Sequence, residues 1–427
     1  MRIAIIGGGS SYSPELVDGL LQFSDRFPRI DLAMMDVDAD RLRITAEFAR
    51  RMLDRRQASV RITASEDLDD AVADADYVVA QIRVGGIAAR VEDERLGRRH
   101  GLIGQETTGV GGFACALRTI PAMLRVADAM RRRAPNAVLI NFTNPAGLVT
   151  EALVRHGGVP CVGLCNIPIG LEHELAELLG CAAEALCVSS VGLNHLSWMT
   201  GVAVDGADRT AEALEALWAN AQEGWEDPAT CAAMLDVMRR LGVYCNSYLK
   251  YFYATESMLK RQSTQPKTRG EEVLEIEARL FEAYREPSRS EKPAALSERG
   301  GAHYSTAALR LIDAMERDDG AVQTVSCRNG GAIPTFDDDA VVEAPARIRR
   351  RGAETLPQAA PPPAIRGLMQ AVKAYETLTV QAGVSGDRDA AYEAMLIHPL
   401  MPGAERCGAL LDDVLATNRA YLTETFH

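Results

Sequence analysis

Apolar residues follow two rhythms along this chain. In the first 165 positions, short unbroken apolar runs alternate with stretches where apolar residues recur every three or four positions. Arg2-Ile-Ala-Ile-Ile6 is the first run, and 30–35, 60–63, 77–81, 137–142 and 159–165 follow. Runs this long without polar alternation mark parallel strands covered on both faces. The stretches between them predict helices from Pro14 to about residue 23, with Leu16, Val17, Leu20 and Leu21 on one face, and over 39–54, 114–132 and 147–156. Strands separated by helices predict an α/β fold built on a doubly wound parallel sheet. From about 205 to 284 the pattern is helical and amphipathic, with Trp218 and Trp225 expected in the core, and 364–424 is helical again. The stretch from Arg285 to Pro293 and the proline-rich 357–363 read as exposed loops.

Ligands of doubly wound sheets collect at the carboxyl ends of the strands, so the residues there carry the functional reading. Gly7-Gly-Gly9-Ser10-Ser-Tyr-Ser13 follows the first strand. Ser13, Pro14 and Glu15 form a helix-start signature, with Ser13 as N-cap. A strand, a glycine turn and a helix N-terminus make a cradle for a dinucleotide pyrophosphate, with Gly7, Gly9, Ser10 and Ser11 as its candidate contacts. Tyr12 stands where a third glycine would complete the usual fingerprint. Asp36 ends the second strand, 27 positions beyond Gly9, against roughly 20 in the usual spacing. A carboxylate there accepts hydrogen bonds from ribose hydroxyls and repels a 2′-phosphate, which favours NAD over NADP; its structural alternative is a cap for the helix at 39. Further strand ends carry Gln81-Ile-Arg83, Asn141-Phe-Thr-Asn144 and Cys165-Asn166. Arg83, Arg90, Arg95, Arg98 and Arg99 then make a basic island that suits a phosphate or carboxylate, or else a solvated helix face shared with Glu92, Asp93 and Glu94.

Composition narrows the partners. The 427 residues are 47% hydrophobic and 25% charged, as in ordinary globular proteins. The length allows two domains, placed at 1–165 for dinucleotide binding and 166–427 for a catalytic α/β unit. A formal net charge of −13 argues against nucleic acid and anionic membranes as partners. Nine irregularly spaced cysteines without a CxxC pair fit reduced thiols. The chain enters a strand at residue 2 and has no apolar run beyond strand length, so no signal peptide or membrane span is expected, and a cytoplasmic location is.

Cys165 and His195, each near the end of a strand, offer a thiolate and an imidazole, the minimum protein ligands of an open metal site. The structural alternative is a buried cysteine and a hydrogen-bonded histidine. Taken with Gly7-Gly-Gly-Ser10, Gly104-Gln-Glu-Thr-Thr-Gly109, Asn141-Phe-Thr-Asn-Pro-Ala-Gly147, Cys165-Asn-Ile-Pro168, Gly192-Leu-Asn-His195, Tyr248-Leu-Lys-Tyr251, Thr268-Arg269 and Arg299-Gly-Gly-Ala302, the chain resembles glycoside hydrolase family 4 nearly end to end. These are NAD- and divalent-metal-dependent 6-phospho-glycosidases. The resemblance implies a Rossmann domain followed by a lactate/malate dehydrogenase-like α/β domain. It implies NAD and Mn²⁺ as cofactors, Cys165 and His195 as metal ligands, and Tyr248 as catalytic base, with Tyr251 the alternative. Asn144 and Asn166 would contact the sugar and Arg90 its phosphate. Arg269 would reach a phosphate from a neighbouring subunit of a homodimer or homotetramer. The Cys-Asn-Ile-Pro form resembles the 6-phospho-β-glucosidase branch; an α-branch enzyme and a lactate/malate-type dehydrogenase are the competing activities, and an NAD-sensing binding protein is the non-enzyme alternative.

Overall fold

The computed structural model describes residues 1–427 except 24, 28, 225, 226, 301, 302, 423–425 and 427; the side chains of 222–224 also lie outside the description. Trp225, and Gly301 and Ala302 of the Arg299 motif, therefore fall outside the described residues.

The predicted parallel sheet is present. Strands β1 (Arg2–Ile6), β2 (Ile30–Met35), β3 (Val60–Ser65), β4 (Tyr77–Ala80), β5 (Val138–Asn141) and β6 (Cys161–Gly163) lie in the order β6-β5-β4-β1-β2-β3, all neighbours parallel. Ala4 pairs with both Ala33 and Val78, so β1 is central, and the order reverses beside it. That reversal opens the crevice where α/β sheets hold ligands. Helices α1 (Ser13–Gln22), α2 (Ala39–Arg55), α3 (Leu68–Val72), α4 (Gly86–Arg99), α5 (Gly109–Arg133), α6 (Ala146–Ala152) and α7 (Asn166–Leu179) join these strands and cover the sheet. Helix α5 is long and apolar enough to cross a membrane, but most of it is buried in the fold.

Three sequence expectations change. Ser13 is the first residue of α1 and not its cap; its hydroxyl donates to Gly8 O at 2.7 Å and accepts from Gln81 Nε2 at 2.9 Å, bracing the glycine turn. Helix α5 begins at Gly109, five residues before the expected start, because Gly111 and Gly112 are helical glycines and not loop punctuation. A Cβ on Gly111 would sit 2.2 Å from Gln105 O, and one on Gly112 would sit 2.5 Å from the Thr107 backbone, so the preceding loop packs flat on the helix only without side chains there. The cap of α2 is Asp38, whose carboxylate accepts from Arg41 N, which leaves Asp36 to other work.

The strand end expected at Gly192–His195 is present as the end of the strand Leu186–Leu193, while the other strands of the second half escaped the apolar-run reading because they alternate or are short. Strands β7 (Leu186–Leu193), β8 (Leu196–Val204), β9 (Ala207–Asp208) and β10 (Tyr244–Cys245) form a small antiparallel sheet. Strands β11 (Val322–Arg328), β12 (Val341–Arg349) and β13 (Gly352–Thr355) extend the large sheet antiparallel beyond β6, giving it nine strands. β7 packs against β12, which ties the two sheets together. Between them Trp198 is fully buried, and Trp218 is buried nearby as expected.

Candidate active site

A cleft of about 790 Å³ opens at the crevice beside β1. Gly7, Ser10, Asp36, Gln81, Arg83, Asn144, Arg299 and Tyr304 line it. Gly7 has φ 92, and a Cβ there would meet Gln81 O at 2.8 Å, so only glycine lets the turn pass over β4. Gly9 N donates to Asp36 Oδ2 at 2.9 Å, which fixes the carboxylate at the rim. Burial is the main force on the Asp36 carboxyl and raises its pKa, against backbone donors at Asp38 and Gly9. Ser11 is fully buried, its hydroxyl donating to Glu277 Oε1 at 2.8 Å, and its side chain does not reach the cleft wall. Glu277 also grips Arg41 through two bonds of 3.0 Å, placing a neutralised cation beside Asp36.

The basic island divides by depth. Arg95 and Arg99 point outward and pair with surface acids, the solvated-face reading. Arg83 and Arg90 point inward. Both pair with Glu106, Arg90 at 3.0 Å, and Arg90 also holds Glu94 at 2.8 Å. Burial alone would raise the Glu106 carboxyl, but Arg83 and Arg90, with Arg299 beyond them, outweigh it and hold it below the usual range. Arg299 is buried, which lowers its own pKa, and its Nε has no hydrogen-bond partner among the described residues. Three guanidinium groups thus converge with one carboxylate between them, Arg83 and Arg299 forming cleft wall. Such a net-positive buried corner suits a phosphate dianion. Arg299 and Glu106 were only motif letters in the sequence: Glu106 lies in the loop before α5, and Arg299 just after the short helix Ala295–Glu298.

Beside this corner lies the Cys165–His195 pair. Cys165 stands immediately before α7, and the backbone N–H groups of Asn166 and Ile167 and the side chain of Asn194 hydrogen-bond its sulfur. These donors suit a thiolate, but burial pushes the thiol up to about 12, with Glu343 adding to the rise. A bound dication would supply the missing positive charge. His195 occupies the two-residue turn between β7 and β8 with φ 62, a left-handed conformation unusual for a side-chain-bearing residue and concentrated at functional sites. Its Nδ1 lies 3.0 Å from Thr107 Oγ1, which is 3.0 Å from Gln105 Oε1. An amide oxygen only accepts, so the Thr107 hydroxyl donates to Gln105 and accepts from Nδ1–H. This leaves the Nε2 lone pair available for a metal. Burial holds the His195 pKa down at about 4, so the ring stays neutral at physiological pH. The donor set therefore fits a divalent cation, although no cluster of three or more Cys, His, Asp or Glu donors occurs among the described residues. Two protein ligands leave open positions for substrate and water.

The ring of Tyr248 stacks on His195 at 3.7 Å, 8° from parallel. Burial raises its phenol well above its usual pKa, with Glu106 and Cys165 adding, while Arg90 works the other way. Tyr251 sits edge-on to Tyr248 at 5.9 Å and packs with Ile103 and Met258. Asn166 is the first residue of α7, next to Cys165. Arg269 is placed apart: half exposed at the start of the Arg269–Arg285 helix, it pairs with Glu272 and donates to Glu298 O. Tyr304, a residue the sequence did not single out, lines the cleft and is electrostatically coupled to Cys165 and Tyr248, joining the two regions.

A dinucleotide-type cleft that meets a thiol–imidazole pair and an anion corner defines a cofactor-dependent enzyme acting on a phosphorylated or carboxylated substrate. Residues 2–181 match the family model described as family 4 glycosyl hydrolase, and 190–401 match the C-terminal domain of the same family. The chain belongs to the family 4 glycosyl hydrolases. It is 37% identical to a probable 6-phospho-β-glucosidase of Bacillus subtilis, over 100% of this chain and 98% of that protein. A structure of the Thermotoga maritima 6-phospho-β-glucosidase with manganese, NAD⁺ and glucose-6-phosphate superposes with a TM-score of 0.90 at 38% identity, covering 99% of both chains. A Plasmodium falciparum malate dehydrogenase structure with NADH, at 14% identity and a TM-score of 0.51, shares the fold over 92% of this chain and 99% of its own.

Proposed function

We propose that this chain hydrolyses 6-phospho-β-glucosides by a route of oxidation, elimination, water addition and re-reduction. The observation that carries the reading is the meeting of three features at one crevice: the dinucleotide turn, the Arg83–Arg90–Arg299 corner, and the Cys165–His195–Tyr248 group. Most glycosidases use two carboxylates, and NAD-dependent family 4 enzymes are a known exception. When bound, NAD⁺ provides a reversible hydride acceptor for sugar C3, and a divalent ion such as Mn²⁺ provides Lewis-acid stabilisation of charge on the neighbouring oxygens.

The chain's own residues do the rest. Gly7, Gly9, Ser10 and Ser11 form the turn at the pyrophosphate, and Asp36 accepts from the ribose. Arg90, with Arg83 and Arg299, takes the 6-phosphate, while Asn144 and Asn166 contact the sugar. Cys165 and His195 hold the ion. Tyr248 removes the C2 proton, after which the aglycone leaves C1. The stacking of Tyr248 on His195 supports this assignment over Tyr251, and the nearby Arg90 favours the phenolate the step needs. We divide the chain functionally at residue 165, with 1–165 serving the dinucleotide and 166–427 the sugar chemistry. Arg269, exposed on its helix, serves a neighbouring subunit of a homodimer or homotetramer in the cytoplasm, with neither nucleic acid nor membrane as partner.

The test is an assay with an aryl 6-phospho-β-glucoside, its α-anomer and the unphosphorylated glucoside, each with NAD⁺, Mn²⁺ and reductant. Aglycone release from the phosphorylated β substrate alone, without net NADH, is expected. Cleavage of only the α or only the unphosphorylated compound would overturn the assignment, and stoichiometric NADH would point to a dehydrogenase.

A further inference from the structure

Glu343 is a carboxylate in the core that the proposed reaction does not use. It lies on β12 at 1% exposure, and no cation pairs with it among the described residues. A buried carboxylate needs donors to satisfy its oxygens. It has two, one on each oxygen: Asn194 Nδ2 donates to Oε2 at 2.8 Å, and Ser197 Oγ donates to Oε1 at 3.2 Å.

Each donor leads to a different part of the active site. Asn194 is the residue before His195 in the turn between β7 and β8, and its side chain lies where it favours the thiolate form of Cys165. Ser197 Oγ has given its proton to Glu343, so it accepts from Asn246 Nδ2 at 3.2 Å. Asn246 Oδ1 in turn accepts from Tyr248 N at 3.0 Å, at the start of the short helical turn that carries the tyrosine. Glu343 therefore braces two segments: Asn194, beside Cys165 and directly before His195, and, through Ser197 and Asn246, the turn that carries Tyr248.

Both Glu343 oxygens face donors, so the Asn194 amide presents its NH₂ toward Glu343 Oε2 and the Ser197 hydroxyl its proton toward Oε1. A glutamine at 343 could donate, which would allow the Asn194 amide to turn over and set its oxygen against the thiolate. Backbone constraint works with this: a Cβ on Gly192 would lie 2.3 Å from Leu196 O, so the hairpin that aims Asn194 and His195 is closed too tightly to adjust by itself.

We propose that Glu343 is the positioning residue of the metal centre, acting through Asn194 on Cys165 and His195, and through Ser197 and Asn246 on Tyr248. This rests on the reading that Cys165 and His195 hold the divalent ion. Groups that orient metal ligands in this way are typically worth about 10- to 100-fold in metal affinity.

The test is Mn²⁺ binding to the reduced, full-length protein, read from the electron paramagnetic resonance signal of free Mn²⁺, with NAD⁺ affinity measured alongside as a control for folding. Glu343→Gln is expected to weaken Mn²⁺ binding by about 10- to 100-fold and to leave NAD⁺ affinity unchanged. Asn194→Ala, which empties no core space, should show the same loss. Ser197→Ala, which leaves Glu343 its Asn194 donor but cuts the chain to Tyr248, should weaken Mn²⁺ binding less than Asn194→Ala and lower kcat without a matching change in KM. Wild-type Mn²⁺ affinity in Glu343→Gln, or in Asn194→Ala should the first variant not fold, would overturn the proposal. Cys165→Ser separates the two levels: if it too binds Mn²⁺ normally, the ligand assignment itself fails, whereas if it alone loses the ion, only the positioning role of Glu343 is lost.

Discussion

The cofactor cleft is an open space of about 790 Å³ whose wall comes mainly from the turns after β1, β2 and β4. The Cys165–His195–Tyr248 group next to it is buried and assembled from three separated stretches: the start of α7, the β7–β8 turn, and the segment after β10. The difference follows from what each must hold. A dinucleotide is long and mostly solvated, so one strand–turn–helix unit with backbone donors can cradle it. Charge on a sugar oxygen needs a dry, fixed setting, where each electrostatic contact counts for more. Dryness requires walls from many parts of the chain, and those parts are distant in sequence.

This contrast can be broken at either region. The largest effect is expected from Cys165→Ser, which should lower metal-dependent turnover by about 1000-fold or more while NAD⁺ affinity, measured by titration calorimetry, stays near wild type. Equal losses of both would mean that the two regions are one unit. Next comes Tyr248→Phe, expected to reduce kcat by about 100-fold and to slow exchange of the substrate C2 hydrogen with deuterated solvent. Undiminished exchange would remove Tyr248 from the role of base and leave Tyr251. Asp36→Ala should weaken NAD⁺ binding by about tenfold, the value of a charged hydrogen bond, and narrow the preference over NADP⁺ with little change in Mn²⁺ affinity.

The smallest effect concerns stability around the buried group. His398 packs on Tyr375 and Phe252 in the wall behind His195, and burial holds its pKa down at about 3. The unfolded chain takes up a proton below about 6.5 that the folded chain refuses, so this stability is complete above that pH and is lost as pH falls toward 3. At pH 5 the loss is about 2 kcal/mol. Thermal melting should therefore show the gap between wild type and His398→Gln narrowing by a few degrees from pH 7 to pH 5. A constant gap would mean that the histidine takes up its proton as readily in the fold as in the unfolded chain.

The chain's own pattern determined the parallel sheet, because β1, β2, β4 and β5 are buried on both faces and so read as unbroken apolar runs in the right order, with β3 the exposed edge strand. It also determined the glycine turn and Asp36, since these lie within one local unit, and the motifs determined the family. Tertiary structure decided what depends on depth and direction. Arg90 and Arg95 are five residues apart on one helix and look alike in sequence, but only one faces Glu106. Ser11 sits in the cradle motif and turns instead to Glu277, 266 positions away. Strands β11 to β13 were invisible because their pairing, not their composition, makes them part of the sheet. Glu343 is one acid among many in the sequence. Its meaning comes from two donors, Asn194 and Ser197, brought to it by the packing of β7 on β12, and no local pattern encodes contacts between segments that far apart.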